Sequence, residues 1–103
     1  MKIAVIGDGG WGTTLAVLLA NKGHAVTIWG PFEDYISLLR EKRENVKFLP
    51  KVKLPDGIDL TSDIGVALND AALAVIAVPS HYMRAVMQRL QASGPPDILF
   101  VSV

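Results

Sequence analysis

The segment Gly7-Asp8-Gly9-Gly10-Trp11-Gly12 constrains this chain more than any other. Before it stands Lys2 to Ile6, a short run whose Ile3, Val5 and Ile6 read as a buried strand ended by glycine. After it, Trp11 to Lys22 reads as a helix, with Leu15, Leu18, Leu19 and Lys22 at spacings of three and four, stopped by Gly23. A strand, a glycine-rich turn and a helix therefore follow one another with nothing between them.

The rest of the chain repeats that alternation. Ala25 to Trp29 is expected as a second strand, broken by Gly30-Pro31, and proline suits the first turn of a following helix. Phe32, Tyr35, Ile36 and Leu39 mark one face of that helix, which Arg40 to Arg43 closes with charge. Glu44 to Gly57 reads as irregular, with two prolines. Ile58 to Leu60 is expected as a short strand, and Thr61-Ser62-Asp63 offers N-cap oxygens to a brief helix through Leu68. Ala72 to Val78 is apolar on both faces, as a central parallel strand is. A helix starting at Pro79-Ser80 has Met83, Val86, Met87 and Leu90 as its inner stripe. Ser93 to Pro96 reads as a turn and Ile98 to Val103 as the fifth strand.

Such alternation predicts an α/β fold, a doubly wound parallel sheet of five strands with helices on both faces and strand order 3-2-1-4-5. That order opens a crevice between the first and fourth strands, beyond their carboxyl ends. Gly7 to Gly12 and Val78 to Tyr82 both fall there, so two separate segments converge on one place.

Composition excludes several classes. The 103 residues are expected to form one domain, which is small for a complete two-substrate enzyme. Ten basic residues balance ten acidic ones, so no net field draws the chain to nucleic acid or an anionic membrane. The absence of cysteine removes disulfides, thiolate metal sites and cysteine nucleophiles, and fits a cytoplasmic location. The longest apolar run, Ala71 to Val78, has eight residues, whereas a membrane-spanning helix needs about 20. Asp8 and the glycines interrupt any signal-like hydrophobic region at the N-terminus.

The glycine turn points to a dinucleotide. Gly7 permits the tight turn, Gly9 lets a pyrophosphate approach the backbone, and Gly12 lets helix and sheet pack closely. The helix N-terminus offers unpaired N–H groups and a partial positive charge, with Gly10 and the amide of Trp11 facing the phosphates. The alternative is a glycine-rich turn without a ligand. A carboxylate for the ribose of NAD is expected at the end of the second strand, but Gly30 stands there, and Glu33 and Asp34 serve the dipole of the next helix. No arginine stands there for a 2′-phosphate either. NAD or NADP thus both remain open, with a lean to NAD.

The chain resembles the N-terminal domain of NAD(P)-dependent glycerol-3-phosphate dehydrogenases along its whole length. The resemblance rests on Lys2 to Gly7 with Trp11-Gly12, Gly23-His24, Ile28-Trp29-Gly30, Glu44 to Pro50, Lys53-Leu54-Pro55, Thr61-Ser62-Asp63 and Ala77-Val78-Pro79-Ser80. The tryptophan within the turn and Phe48-Leu49-Pro50 are its specific parts. It implies a Rossmann-type fold and reversible hydride transfer between a nicotinamide and dihydroxyacetone phosphate or glycerol 3-phosphate. It also implies a homodimeric parent and a helical substrate domain that this chain lacks. By resemblance Gly7, Gly9, Gly10, Trp11 and Gly12 cradle the pyrophosphate, Pro31 lies beside the adenosine, and Tyr82 packs near the cofactor. Tyr82 alternatively is a partly exposed helix residue, and Phe48 either walls the site or anchors its loop in the core.

The sequence departs from the family's pattern in four places. Gly10 replaces a serine or asparagine, which would loosen the turn, and Pro31 replaces an arginine or histidine. Lys51 replaces the glycine after Phe-Leu-Pro, and the family's active-site lysine segment would follow Val103. No catalytic residue and no metal ligand is therefore assigned: His24 reads as structural, His81 as a neighbour of Tyr82, and Arg84 as a solvated helix residue. The expectation is a cofactor-binding fragment without turnover. The alternatives are the equivalent domain of a hydroxy-acid or sugar-phosphate dehydrogenase, or a stand-alone nucleotide sensor, which a natural stop at Val103 would favour.

Overall fold

In a computed structural model, which describes residues 1–79, 82–93 and 98–103, the sheet begins with β1 (Lys2–Ile6), leading through the glycine turn to α1 (Gly10–Asn21). Next come β2 (Ala25–Trp29), α2 (Glu33–Lys42), β3 (Glu44–Asn45), β4 (Leu49–Lys53) and β5 (Ile58–Thr61). The described elements end with α3 (Ile64–Leu68), β6 (Leu73–Ile76), α4 (Met83–Ser93) and β7 (Leu99–Ser102). One sheet holds five strands in the order β5-β2-β1-β6-β7, all pairs parallel, which is the expected 3-2-1-4-5 arrangement of a Rossmann-like fold.

The strand residues divide by parity, because successive side chains point to opposite faces. Ala4, Ile6, Trp29, Ala74 and Ile76 pack with Ile64, Ala67 and Leu68 of α3 and Val86 and Leu90 of α4. Val5, Val26, Ile28, Ile58 and Leu60 pack on the other face with Ala16 of α1 and Ile36 and Leu39 of α2. Each fully buried isoleucine, leucine or valine contributes about 1.5–3 kcal/mol, so the two layers together fix the sheet between helices. Register then sets the site: Ile6 pairs with both Trp29 and Ile76. The ends of β1, β2 and β6 are level, and the loops after them gather along one edge.

Several boundaries differ from the sequence expectation, among them the start of α4, which is at Met83 rather than at Pro79-Ser80. Glu44 to Gly57 is not wholly irregular, because β3 and β4 pair as a short antiparallel ladder with a register shift at Glu44/Asn45. The pattern Leu49-Pro50-Lys51-Val52-Lys53 carries no clean alternation of buried residues, since the ladder lies on the surface. Helix α2 starts at Glu33 rather than at the proline; Phe32 is its N-cap residue and is exposed rather than part of the buried face. Strand β6 ends at Ile76, and Ala77 closes it with one further bond, its N–H donating to the Ile6 carbonyl at 2.9 Å. Of the expected turn from Ser93 to Pro96, only Ser93, the last residue of α4, is among the described residues.

The short α3 depends on its cap. The Asp63 carboxylate accepts hydrogen bonds from the Gly65 and Val66 amides at 2.9 and 3.2 Å. Asp63→Ala is expected to cost about 1 kcal/mol, read as a lower urea midpoint with an unchanged slope.

Candidate functional site

Gly7 leaves β1 at φ +135°, a conformation that side chains rarely adopt, and a Cβ there would lie 2.3 Å from the Ala77 carbonyl oxygen. A Cβ on Gly12 would lie 2.5 Å from the Gly7 carbonyl oxygen and 3.4 Å from the Ala77 Cβ. The first turn of α1 is thus pressed against β1 and the segment after β6, as the sequence spacing implied. Gly9 is different: nothing stands within 4 Å of where its Cβ would be. That open space faces the start of α1, whose N-cap residue Gly9 has no side-chain cap and whose first turn holds no acidic residue. The first N–H groups of a helix have no intrahelical acceptor, and the Thr13 amide is the first to find one, the Gly9 carbonyl at 2.9 Å. An anion placed over Gly9 would meet these donors and the positive end of the helix dipole. The cradle therefore fits a pyrophosphate on geometric grounds.

The turn is held from outside by a residue that sequence reading missed. Asn45 is fully buried, and its amide nitrogen donates to the Asp8 carbonyl at 2.7 Å and to Thr13 Oγ1 at 2.8 Å. Its amide oxygen accepts from the Phe48 N–H at 3.2 Å and from the Tyr35 hydroxyl. One side chain thereby ties the glycine turn, α1, α2 and the loop between β3 and β4 together. The same loop brings the Phe48 carbonyl to 2.7 Å from where a Gly10 Cβ would be. The departure at Gly10 therefore does not loosen the turn; it lets the Phe48 backbone cover it. The Phe48 ring is 46% exposed and meets the Tyr35 ring edge-on at 5.9 Å, so it is not a core anchor. Lys51 has φ +70°, so the backbone keeps a conformation suited to glycine even though lysine occupies the position.

The carboxyl end of β2 has an unexpected occupant. A Cβ on Gly30 would lie 2.2 Å from Asp8 Oδ2 and 2.7 Å from Asp8 Cγ, so the Asp8 side chain reaches across from the glycine turn and fills the space over Gly30. Burial pushes the Asp8 carboxyl up from the ordinary carboxylate range, against the opposing effects of its own backbone N–H and the Lys47 charge. Glu33, the next nearest acid in the chain, is committed elsewhere. It accepts from Ser62 Oγ and from Ser37 Oγ, and pairs with Arg40 at 3.2 Å, and these partners hold its carboxyl below the usual range.

The Asp8 shift has a consequence for stability. A carboxyl with a raised pKa in the fold contributes stability that is present below its unfolded value and lost as pH rises through its folded value. Melting curves of the wild type and Asp8→Asn, taken without ligand, are therefore expected to diverge as pH rises through the weakly acidic range, with the variant the more stable at neutral pH. Curves that stay parallel would contradict this.

The remaining expected site residues lie on the same edge. Trp11, in the first turn of α1, leaves its indole 58% exposed. Pro31 is exposed in the bend between β2 and α2. Tyr82 precedes α4, donates its N–H to the Pro79 carbonyl at 2.9 Å and leaves its ring exposed. Val78 reaches the turn, its Cγ1 lying 3.3 Å from a Gly7 Cβ position. Ser80 and His81 lie outside the described residues. An open groove of about 410 Å³ runs instead along the β5 edge, with Lys2, Arg40, Arg43 and Asp59 in its walls. Its arginines serve the fold: Arg40 donates to the Leu60 carbonyl, and Arg43 to the carbonyls of Pro55 and Ile58. Among the described residues no cluster of acids and histidines could hold a metal ion, and no helix is long and apolar enough to cross a membrane.

The sequence profile of the NAD-dependent glycerol-3-phosphate dehydrogenase N-terminus matches residues 2–103. The chain belongs to this family. A glycerol-3-phosphate dehydrogenase [NAD(P)+] of Prosthecochloris aestuarii is 48% identical over 103 residues, covering all of this chain and 31% of that protein. The enzyme of the same name from Geobacillus kaustophilus is 45% identical over 102 residues, covering 99% and 30%. Among solved structures, glycerol-3-phosphate dehydrogenase from Coxiella burnetii superposes with a TM-score of 0.94 at 28% identity, covering 98% of this chain and 31% of that one. The domain thus spans about 30% of the length of the curated relatives it matches, and it corresponds to their nucleotide-binding N-terminal part.

Proposed function

We propose that this domain holds the NAD(P) of a glycerol-3-phosphate dehydrogenase. In this reading the Gly10, Trp11 and Gly12 amides at the start of α1 bind the pyrophosphate over Gly9. Gly7 and Gly12 keep the turn closed against Ala77, and Pro31 and Tyr82 flank the cofactor's two ends. The observation that carries the reading is the empty Cβ position of Gly9 above an uncapped helix N-terminus. When bound, the nicotinamide would supply or accept the hydride exchanged with dihydroxyacetone phosphate or glycerol 3-phosphate. None of the residues that hold the cofactor in this reading protonates the substrate oxygen. That group and the substrate contacts belong to a further, helical domain of a longer, dimeric and cytoplasmic protein.

Gly30 and Pro31, the residues that follow β2, offer no cation of their own to a 2′-phosphate, which favours NAD over NADP. NADH titrated into the chain is expected to quench the tryptophan fluorescence, because Trp11 and Trp29 both lie beside the glycine turn. Dihydroxyacetone phosphate added afterwards should neither bind nor oxidise the NADH. Substrate turnover by this chain alone would overturn the division of labour, and an NADPH affinity clearly above that for NADH would overturn the cofactor preference.

A further inference from the structure

A dinucleotide fold of this kind ordinarily takes its ribose-binding carboxylate from the residue that ends the second strand. Here that residue is Gly30, which has no side chain. The space its side chain would fill is occupied by a carboxylate from elsewhere, since Asp8 Oδ2 lies 2.2 Å from the Gly30 Cβ position. We propose that Asp8, a residue of the glycine turn itself, is the ribose-binding and specificity-determining carboxylate of this domain, accepting the adenosine ribose hydroxyls and repelling a 2′-phosphate. The inference rests on the NAD(P)-site reading above and adds to it the residue that chooses between the two cofactors.

Three observations support the assignment. First, the Asp8 main chain is fixed, its carbonyl accepting from Asn45 Nδ2 at 2.7 Å and from Thr13 Oγ1 at 3.5 Å, so the side chain leaves the turn from a defined point. Second, none of the hydrogen bonds described for other side chains ends on the Asp8 carboxylate, whereas Glu33 is bound by Ser37, Ser62 and Arg40. Among the described residues, Asp8 thus keeps acceptor oxygens over Gly30 that neighbouring side chains have not taken, whereas Glu33 does not. Third, its desolvated carboxylate sits at an energetic cost to the empty fold. A pair of ribose hydroxyls donating to it would offset that cost. Gly30 is the complementary part of the arrangement, because any larger residue there would collide with Asp8 and with Ile36 Cδ1, 2.9 Å from its Cβ position. Lys47 also acts on the Asp8 carboxylate by its charge, and it would be the competing element if the 2′-phosphate were accepted instead.

The test is a set of calorimetric titrations of the chain and of Asp8→Asn and Asp8→Ala with NAD+, NADP+ and 2′-deoxy-NAD+. The wild type is expected to prefer NAD+ over NADP+. Asp8→Asn should lose about tenfold or more in NAD+ affinity, as loss of charge-assisted hydrogen bonds implies, and should bind NADP+ no more weakly than the wild type does. Removing the 2′-hydroxyl should weaken binding to the wild type and leave binding to Asp8→Ala almost unchanged. Equal weakening of NAD+ and NADP+ by both variants would overturn the proposal and leave Asp8 a structural member of the turn. NAD+ binding unaffected by either variant would overturn it while leaving the pyrophosphate site standing. A folded wild type that binds no dinucleotide would remove the site itself.

Discussion

Gly9→Ala is expected to abolish dinucleotide binding while the domain stays folded. The backbone at Gly9 (φ −72°, ψ −177°) is one that alanine adopts without strain, and the new methyl group would meet nothing within 4 Å. The stability change should be less than about 1 kcal/mol, the cost of placing alanine rather than glycine at an N-cap. The methyl would, however, stand where the pyrophosphate has to approach the helix N-terminus. Displacing it weakens several charge-assisted hydrogen bonds together, each worth about 1.5–3 kcal/mol, so affinity should fall at least about 100-fold. Gly12→Ala makes the contrasting variant. Its methyl would sit 2.5 Å from the Gly7 carbonyl oxygen, so the fold itself should lose about 1–3 kcal/mol through overpacking. Thermal melts and NADH titrations of the two variants separate the roles, and Gly9→Ala binding NADH like the wild type would mean that the space over Gly9 is not the phosphate site.

The second large effect is at Asn45. Asn45→Ala would leave the buried Asp8 carbonyl and Thr13 hydroxyl without their donor, and the Phe48 amide and Tyr35 hydroxyl without their acceptor. At about 1–3 kcal/mol for each buried group left unpaired, partly relieved by entering water, the expected loss is about 3 kcal/mol. In a domain of this size that lowers the melting temperature by on the order of 15 °C. NADH affinity should fall as well, because the turn loses the strut that fixes Asp8. Asn45→Asp keeps the shape and the acceptors but removes the amide donors, so it should show a large part of the same loss. A melting temperature within a few degrees of wild type for Asn45→Ala would show that the loop between β3 and β4 does not support the turn.

These two residues also show where sequence reading succeeds and where it stops. The strand, turn and helix from Lys2 to Asn21 were legible because their signals are local: apolar periodicity on either side of glycines at fixed spacing. The parallel order followed from alternation along the chain, and β6 from an apolar run buried on both faces. Asn45 left no such mark. Its partners lie 32 and 37 positions away in Thr13 and Asp8, and a buried asparagine has the same letter as one in a solvated loop. Asp8 was hidden for a related reason. The glycine at the end of β2 was legible as a missing carboxylate, but the side chain that fills its place comes from a segment 22 positions earlier, and only the packing shows it crossing over. The hairpin of β3 and β4 reads as irregular in the sequence because Pro50 and Pro55 interrupt any strand pattern, although pairing tolerates Pro50 at an exposed edge.

The central claim is that Gly7 to Gly12 holds a nicotinamide dinucleotide by its pyrophosphate. Calorimetric titration of the folded chain with NADH, repeated with NADPH, tests it most directly. The expected result is saturable one-to-one binding of NADH, with NADPH weaker. A chain that melts cooperatively yet gives no binding heat and no tryptophan quenching with either dinucleotide would contradict it.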